Sequence, residues 1–549
     1  MDVGLGNSYC FDDILMEPLY SNISSRSVIS LETNIGSNGR NLVLKTPLIS
    51  SPMDTVTEKE MAIKMALNGG LGIIHRYMDI DEQVLHIIKV KRFLQYIIQE
   101  PYCIIPTDTY DNIIKLSEQY NVSSFCVVSS LESNDLIGII TRRDIEYMKY
   151  YINNNLNNNI NNNINNNINN LIPDIEFTVY DIIKHKNIII NPLDNNTQPP
   201  LDNTQPPLDN HTNTIIKLES CNLYSLDNTL KTAKALMLQH RIEKIPIVSG
   251  SKLVGLITLN NINHYENNKS KACIDKNGAL CVGAAIGITG DYLIRLDKLM
   301  NAGVNLICID VANGFNENVF IAVSVIRSKY PDIVLMVGNV CNWQGYEALS
   351  KYDVDCIRVG VGNGSICSTR LETGIGKGQF SAVLECYRYK LANNSQPNII
   401  CDGGSLGKTG NKVKALACGS CAIMLGRTLS STEESPGQII VRNGKRFKYI
   451  RGMASSMANI SKQEKLSIGN TSNKLTTNFT AEGVDGEQEL SGSVSELLEQ
   501  INGGIKSGLS YLGCENIVQL HHKSATHKIK FNVVTSIGMS ETGIRVKTY

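Results

Sequence analysis

Short apolar runs that end in glycine or a polar residue alternate with helix-patterned segments over most of this chain, and few folds satisfy that rhythm. Thr46 to Ser51 is one such run, and Gly72-Ile73-Ile74-His75 is the next. Between them, Glu58 to Asn68 sets Met61, Ala62, Met65 and Ala66 on one helical face and is closed by Gly69-Gly70. The pattern resumes near Cys273, with Ala279 to Ala285 as a strand and Asp291 to Ala302 as a helix. Further strands are expected at Leu306 to Asp310, Val334 to Val340, Val354 to Val361, Asn398 to Cys401 and Ala422 to Leu425. Strand and helix repeated in this way predict an α/β chain closed into a parallel (β/α)8 TIM barrel.

Between about 93 and 268 the rhythm is interrupted by an internal repeat. Leu136-Ile137-Gly138-Ile139-Ile140-Thr141-Arg142-Arg143-Asp144 and Leu253-Val254-Gly255-Leu256-Ile257-Thr258-Leu259-Asn260-Asn261 each follow a helix and a strand. Two low-complexity segments lie inside the interruption. Residues 153–170 are asparagine triplets punctuated by Leu156, Ile160, Ile164 and Ile168, and 192–210 repeat a Pro-Leu-Asp-Asn unit. Asparagine is a poor helix former and proline breaks helix and strand alike, so both are expected to be disordered loop expansions without chemistry.

Chemistry concentrates after strands. Gly362-Asn363-Gly364-Ser365-Ile366-Cys367-Ser368-Thr369-Arg370 follows an apolar run, and its glycines allow a sharp turn that places Cys367 on a loop. A thiol there can attack an electrophilic carbon, with Thr369 beside it to handle a leaving group; the plainer alternative is one more small buried residue. Asp310 ends a strand beside the Val311-Ala312-Asn313-Gly314 turn, where it could bind a polar ligand or cap the next helix. Asp402-Gly403-Gly404 offers a carboxylate for ribose hydroxyls and bare amides for a phosphate.

The Cys367 loop, Ser50-Ser51-Pro52-Met53-Asp54-Thr55 before it and Ile400-Cys401-Asp402-Gly403-Gly404 after it together resemble the IMP dehydrogenase and GMP reductase superfamily. The resemblance implies a purine held by Ser51 and Met53, with Ser365, Asp402, Gly403, Gly404, Gly426, Arg451, Gly452, Met453 and Ala454 completing the substrate site; Arg427 departs from the family's small residue there, and either adds a charged phosphate contact or points to solvent. It implies a nicotinamide dinucleotide near Asp310, Asn313 and Gly314, and a potassium ion held by backbone carbonyls of Gly362, Gly364 and Cys367. The repeats resemble a tandem pair of CBS (α+β) domains, with copies at about 93–150 and 174–265. Thr141 and Asp144 match that pattern, whereas Asn261 replaces its aspartate. The domain plan is then a barrel of 1–92 and 269–549, with a flap at about 451–486, interrupted by the pair at 93–268. Such a pair implies an adenine or guanine nucleotide ligand, and the superfamily implies a homotetramer able to join into an octamer.

Two spellings favour the reductase branch. Asp310-Val311-Ala312-Asn313-Gly314 and the segment after Arg370 follow its pattern, apart from Gly378 where the family has proline. The water-activating Arg-Tyr pair of dehydrogenases is missing between Gly452 and Glu482, whereas Thr369 and Glu482 supply the pair implied in ammonia loss. The expectation is an NADPH-dependent GMP reductase. IMP dehydrogenase with NAD⁺ is the alternative, and a catalytically silent nucleotide sensor is a third reading. Charges balance at 52 basic and 52 acidic residues, which points to neither nucleic acid nor an acidic membrane. Without a signal segment or a bilayer-length apolar run, and with 15 scattered cysteines, a cytoplasmic enzyme is expected.

Overall fold

The computed structural model describes residues 6–93, 97–98, 101–120, 122–150, 152, 178–179, 187–191, 214–219, 226–404, 407–455, 481–535 and 538. Both low-complexity segments lie outside these residues, as does most of the flap. Two compact units emerge, one from Met1–Leu94 with Asn268–Tyr549 and the other from Gln95–Asn267.

In the first unit eight parallel strands close a barrel. They are β1 (Leu48–Ser50), β2 (Leu71–Ile74), β3 (Val282–Ile286), β4 (Leu306–Asp310), β5 (Val334–Val340), β6 (Cys356–Val359), β7 (Asn398–Asp402) and β8 (Ala422–Leu425). β8 returns to β1 with Ile423 opposite Leu48, so no edge is left open. The intervening helices are α1 (Lys59–Leu67), α2 (Ile80–Phe93), α3 (Tyr292–Asn301), α4 (Glu317–Lys329), α5 (Trp343–Ser350), α6 (Gln379–Ala392) and α7 (Thr409–Ala417), with α8 (Val494–Tyr511) after the last strand. The caps are local: Asn316 and Asn342 accept amides of α4 and α5 at 2.9 Å each. Asp310 is therefore not the cap of α4.

Strand residues alternate between two apolar clusters. Ile49, Ile73, Cys308, Met336, Ile400 and Met424 fill the barrel interior, while Leu48, Ile74, Ile307, Leu335, Ile399 and Ile423 face the helices. That double burial is why these strands read as continuous apolar runs. Cysteines serve here as small fillers. The cysteines include one C-x-x-C, Cys418-Gly419-Ser420-Cys421; both thiols are buried, and burial pushes Cys421 up to about 12, away from the reactive thiolate.

The expected strand from Val354 to Val361 is shorter because a charge network fixes its start. Asp355, fully buried at the amino end of β6, receives Arg40 Nε and Arg327 at 2.9 Å each and the Leu335 amide at 2.8 Å. A second difference concerns Gly378, where the family's proline would have no place. Its N–H donates to Ser8 Oγ at 2.6 Å, and an added Cβ would lie 2.4 Å from the Tyr9 carbonyl oxygen.

In the second unit the repeat is visible in the pairing. Cys103–Ile104 runs parallel to Phe125–Val128, which forms a hairpin with Leu136–Ile140; Thr214–Glu219 runs parallel to Lys244–Ser249, which forms a hairpin with Lys252–Thr258. Tyr110–Tyr120 and Leu226–His240 are the helices before each hairpin. Both hairpins shift register at the same place, between Val127 and Val128 and between Ile247 and Val248.

A candidate active site at the carboxyl ends of the barrel strands

Cys367 stands where expected, half-buried on the loop after β6. Its Sγ lies 3.1 Å from Thr369 Oγ1, and that hydroxyl donates to Glu482 Oε2 at 2.8 Å. A hydroxyl has one proton to give, so with that proton on Glu482 the thiol is the donor to the Thr369 oxygen. The three side chains form a proton path running from sulfur to carboxylate.

Glu482 comes from far along the chain, and backbone bonds bring it here. Its carbonyl accepts the Ser368 amide at 2.9 Å, its own amide donates to Ala454 at 3.0 Å, and Val484 donates to Ile366 at 3.0 Å. Gly452 closes this junction: its amide donates to Val484 at 3.1 Å, and an added Cβ would meet the Ile366 oxygen at 2.9 Å. Both roots of the flap are therefore stitched to the Cys367 loop. Residues 456–480 between them lie outside the described residues. Behind the junction, Ile439–Arg442, Lys445–Arg451 and Asp485–Glu489 form a three-stranded antiparallel sheet.

The other sequence-predicted residues fall into three groups. Buried Ser51, half-buried Met53 and Gly426 adjoin at the ends of β1 and β8, where a Cβ on Gly426 would lie 3.1 Å from Met53 Sδ. Met453 reaches this group, its sulfur accepting the Asp54 amide at 3.3 Å. Arg451 donates through Nε to Asp54 at 2.8 Å, so its guanidinium ties the flap root to the β1 loop. Arg427, Ser365 and Ala454 are exposed at the rim.

Asp402, Gly403 and Gly404 form the second group, at the end of β7. Asn363 Nδ2 and Gln379 Nε2 donate to the Asp402 carbonyl at 2.9 and 3.1 Å, and Gln379 also reaches Val359 at 2.6 Å. These two amides lock the ends of β6 and β7 together. Burial pushes the Asp402 carboxyl above the usual carboxylate range, while Arg358 and Asn339 pull it back.

Asp310, Asn313 and Gly314 make the third group. Asp310 Oδ1 accepts Arg358 at 3.0 Å, and Oδ2 has no hydrogen bond among the described residues, which leaves an acceptor for a ligand hydroxyl. Asn313 is exposed and accepts the Phe315 amide at 3.0 Å, while the Gly314 amide donates to Asn339 at 2.7 Å. An aspartate with one open oxygen beside a glycine turn fits a dinucleotide ribose. As for a cation, the Gly364 carbonyl accepts the Cys367 amide at 3.1 Å, and carbonyl oxygen keeps a second lone pair for an ion. Among the described residues no group of three or more His, Cys, Asp or Glu side chains could hold a metal, and no helix is long and apolar enough to cross a membrane.

The sequence reading missed Arg358, Asn339, Asn363, Gln379 and the Asp54 partner of Arg451. Arg358 carried a signal, since it is a charge inside the apolar run Cys356-Ile357-Arg358-Val359.

Comparison with known proteins bears on the site as a whole. The family described as "IMP dehydrogenase / GMP reductase domain" matches residues 8–545. The inosine-5'-monophosphate dehydrogenase of Nitrosopumilus maritimus is 36% identical over 94% of this chain and 94% of its own; that of Bacillus subtilis is 33% identical over 97% and 94%. Among solved structures, GMP reductase from Trypanosoma brucei in complex with guanosine 5'-monophosphate superposes with a TM-score of 0.78 at 29% identity, covering 99% of each chain. The same enzyme in complex with guanosine 5'-triphosphate gives a TM-score of 0.68 at 25% identity over 97% and 99%.

Proposed function

The chain belongs to the IMP dehydrogenase/GMP reductase family of oxidoreductases, which work with a nicotinamide dinucleotide, and within that family we propose that it is a GMP reductase, converting GMP and NADPH to IMP, ammonia and NADP⁺. One observation carries this reading: Thr369 bridges Cys367 and Glu482, at 3.1 and 2.8 Å; the lack of arginine and tyrosine over residues 453–481, which could activate water, agrees with it.

The residues divide the work as follows. Cys367 attacks carbon 2 of the purine, and its proton passes through Thr369 to Glu482 as the carbon–sulfur bond forms. Glu482 returns that proton through Thr369 to the departing amine, so the carbon–nitrogen bond breaks to give ammonia and a thioimidate. The reduced nicotinamide supplies a hydride to carbon 2, after which the carbon–sulfur bond breaks, IMP leaves and the thiolate takes a proton from solvent. Asp402 accepts ribose hydroxyls of the nucleotide, Gly403 and Gly426 offer amides to its phosphate, Gly404, whose own amide donates to the Asn363 carbonyl at 3.2 Å, lets the backbone come close, and Arg427 adds charge at the rim. Ser51, Met53, Ser365 and the Arg451 to Ala454 root surround the purine. Asp310 Oδ2, with Asn313 and Gly314, would receive the nicotinamide ribose. Potassium would sit on the carbonyls of Gly362, Gly364 and Cys367. The second unit acts as a CBS pair, and a guanine nucleotide is the first ligand to try there, since a related reductase was crystallised with guanosine 5'-triphosphate. A homotetramer is the expected assembly.

IMP dehydrogenase is the second reading, favoured by the dehydrogenase relatives at 36 and 33% identity. Absorbance at 340 nm, with potassium present, decides between them. Decay with GMP plus NADPH and no rise with IMP plus NAD⁺ is expected; a rise only in the second mixture overturns the reductase assignment.

A further inference from the structure

Arg358 takes no part in the chemistry above, yet it links more of the site than any other described charge. It projects from β6 and is 4% exposed. Its Nε donates to Asn339 Oδ1 at 2.7 Å and Nη1 to Cys308 Sγ at 3.2 Å. Nη2 donates to Asp310 Oδ1 at 3.0 Å and lies 3.6 Å from Asp402 Oδ2. Asn339 Nδ2 closes the loop by donating to that same Asp402 oxygen at 2.9 Å. One nitrogen thus faces two carboxylates, on β4 and β7, that belong to the two proposed ligand subsites.

A buried ion cluster is a poor route to stability, since apolar side chains of similar volume generally serve as well. Its geometry has a different consequence. Nη2 is hydrogen-bonded to Asp310 at 3.0 Å and only attracted to Asp402 at 3.6 Å, so two carboxylates on different strands pull on one charge; a hydroxyl that donates to Asp402 offsets part of its pull and lets Arg358 settle on Asp310. Oδ2 of Asp310 is then fixed for the second ribose. We infer that Arg358 is a positioning residue that couples purine-nucleotide binding at Asp402 to dinucleotide binding at Asp310, so that each ligand tightens the other. This rests on the assignment of those two aspartates, though not on which reaction the enzyme runs, and by linkage the coupling is reciprocal.

IMP with NADPH is a dead-end pair for either reaction and allows equilibrium binding to be measured without turnover. With the wild-type protein, saturating IMP should lower the NADPH Kd about tenfold. In Arg358→Lys the shorter, single-point charge cannot span both carboxylates, and the ratio should fall to near one. The acid limb of IMP binding should also move to higher pH, because the shorter ammonium stands farther from Asp402 and favours its ionised form less. Asn339→Leu keeps the charge while cutting three bonds, to Arg358, to Asp402 and to the Gly360 carbonyl; it should halve the logarithm of the ratio, and it serves as the test if Arg358→Lys does not fold. A variant that melts earlier yet keeps the full ratio and the same pH limb overturns the inference, as does a wild-type ratio of one. Coupling that survives in a protein turning over IMP with NAD⁺ would refute the reductase assignment and leave the inference standing.

Discussion

A hydroxyl with one proton cannot donate to two neighbours, and that limit gives Thr369 its direction. With Glu482 at 2.8 Å as acceptor and Cys367 at 3.1 Å as donor, the path runs one way until the amine must be protonated. Thr369→Val keeps the shape of the side chain and removes the relay, so kcat should fall by about 10²- to 10³-fold with little change in the KM for GMP. Glu482→Gln should fall comparably, and the double variant should be no worse than the weaker single one, because the groups act as a unit. Ammonia release in a single turnover, timed against loss of NADPH absorbance, checks this; additive losses would mean two separate roles. Cys367, Thr369 and Glu482 were legible because each sits in or beside a recognisable motif. Arg358 was not, because its partners Asp310 and Asn339 are 48 and 19 residues away and only barrel closure brings them together. Asn363 and Gln379 were hidden for the same reason: their hydrogen bonds go to backbone carbonyls, which no side-chain pattern announces.

Among the elements, the strands were legible and the flap junction was not. A strand buried on both faces leaves an apolar run, whereas its exact ends depend on polar partners such as Asp355, so predicted bounds overshot by two residues at each end of β6. The junction of residues 366–368, 452–455 and 482–484 is stitched by a series of backbone bonds, and its clearest trace in the sequence is glycine. Gly452 shows why. A methyl group there would sit 2.9 Å from the Ile366 oxygen and 3.1 Å from Gly483 Cα, contacts that backbone cannot absorb without moving. Gly452→Ala should displace Glu482 from Thr369 while the barrel, whose core is elsewhere, keeps its melting temperature. The expected result is a loss of kcat of at least about tenfold together with weaker IMP binding, since the same root borders the purine. Unchanged kcat would show that the flap roots do not need this close approach.

At the scale of the whole molecule, the interruption of the barrel was plain because the strand–helix rhythm stops, and the repeat was plain because two hairpins share one spelling. Its attachment was not legible. The insert leaves after α2 and returns ahead of Cys273, and on the barrel unit these two points are tied together: Lys91 Nζ donates to Asp275 at 2.7 Å, to Asn305 at 2.7 Å and to the Leu280 carbonyl at 3.2 Å, while the Cys273 amide donates to Ala66 at 2.7 Å. None of these bonds needs a residue of the second unit. The eight-stranded closure, the Cys367–Thr369–Glu482 path and the Arg358 cluster are likewise built entirely from the first unit. Replacing residues 95–267 with a short Gly/Ser linker should therefore leave a folded barrel whose kcat lies within about threefold of the full chain, since a flexible loop of modest length adds little closure entropy. Any effect of added purine nucleotide on the rate should disappear with the insert. Circular dichroism melting and the 340 nm assay, each run with and without guanosine 5'-triphosphate, test both statements. A deletion variant that folds but is inactive would make the insert part of the catalytic assembly, because the first unit would then hold every reacting group and still lack something that only the second provides.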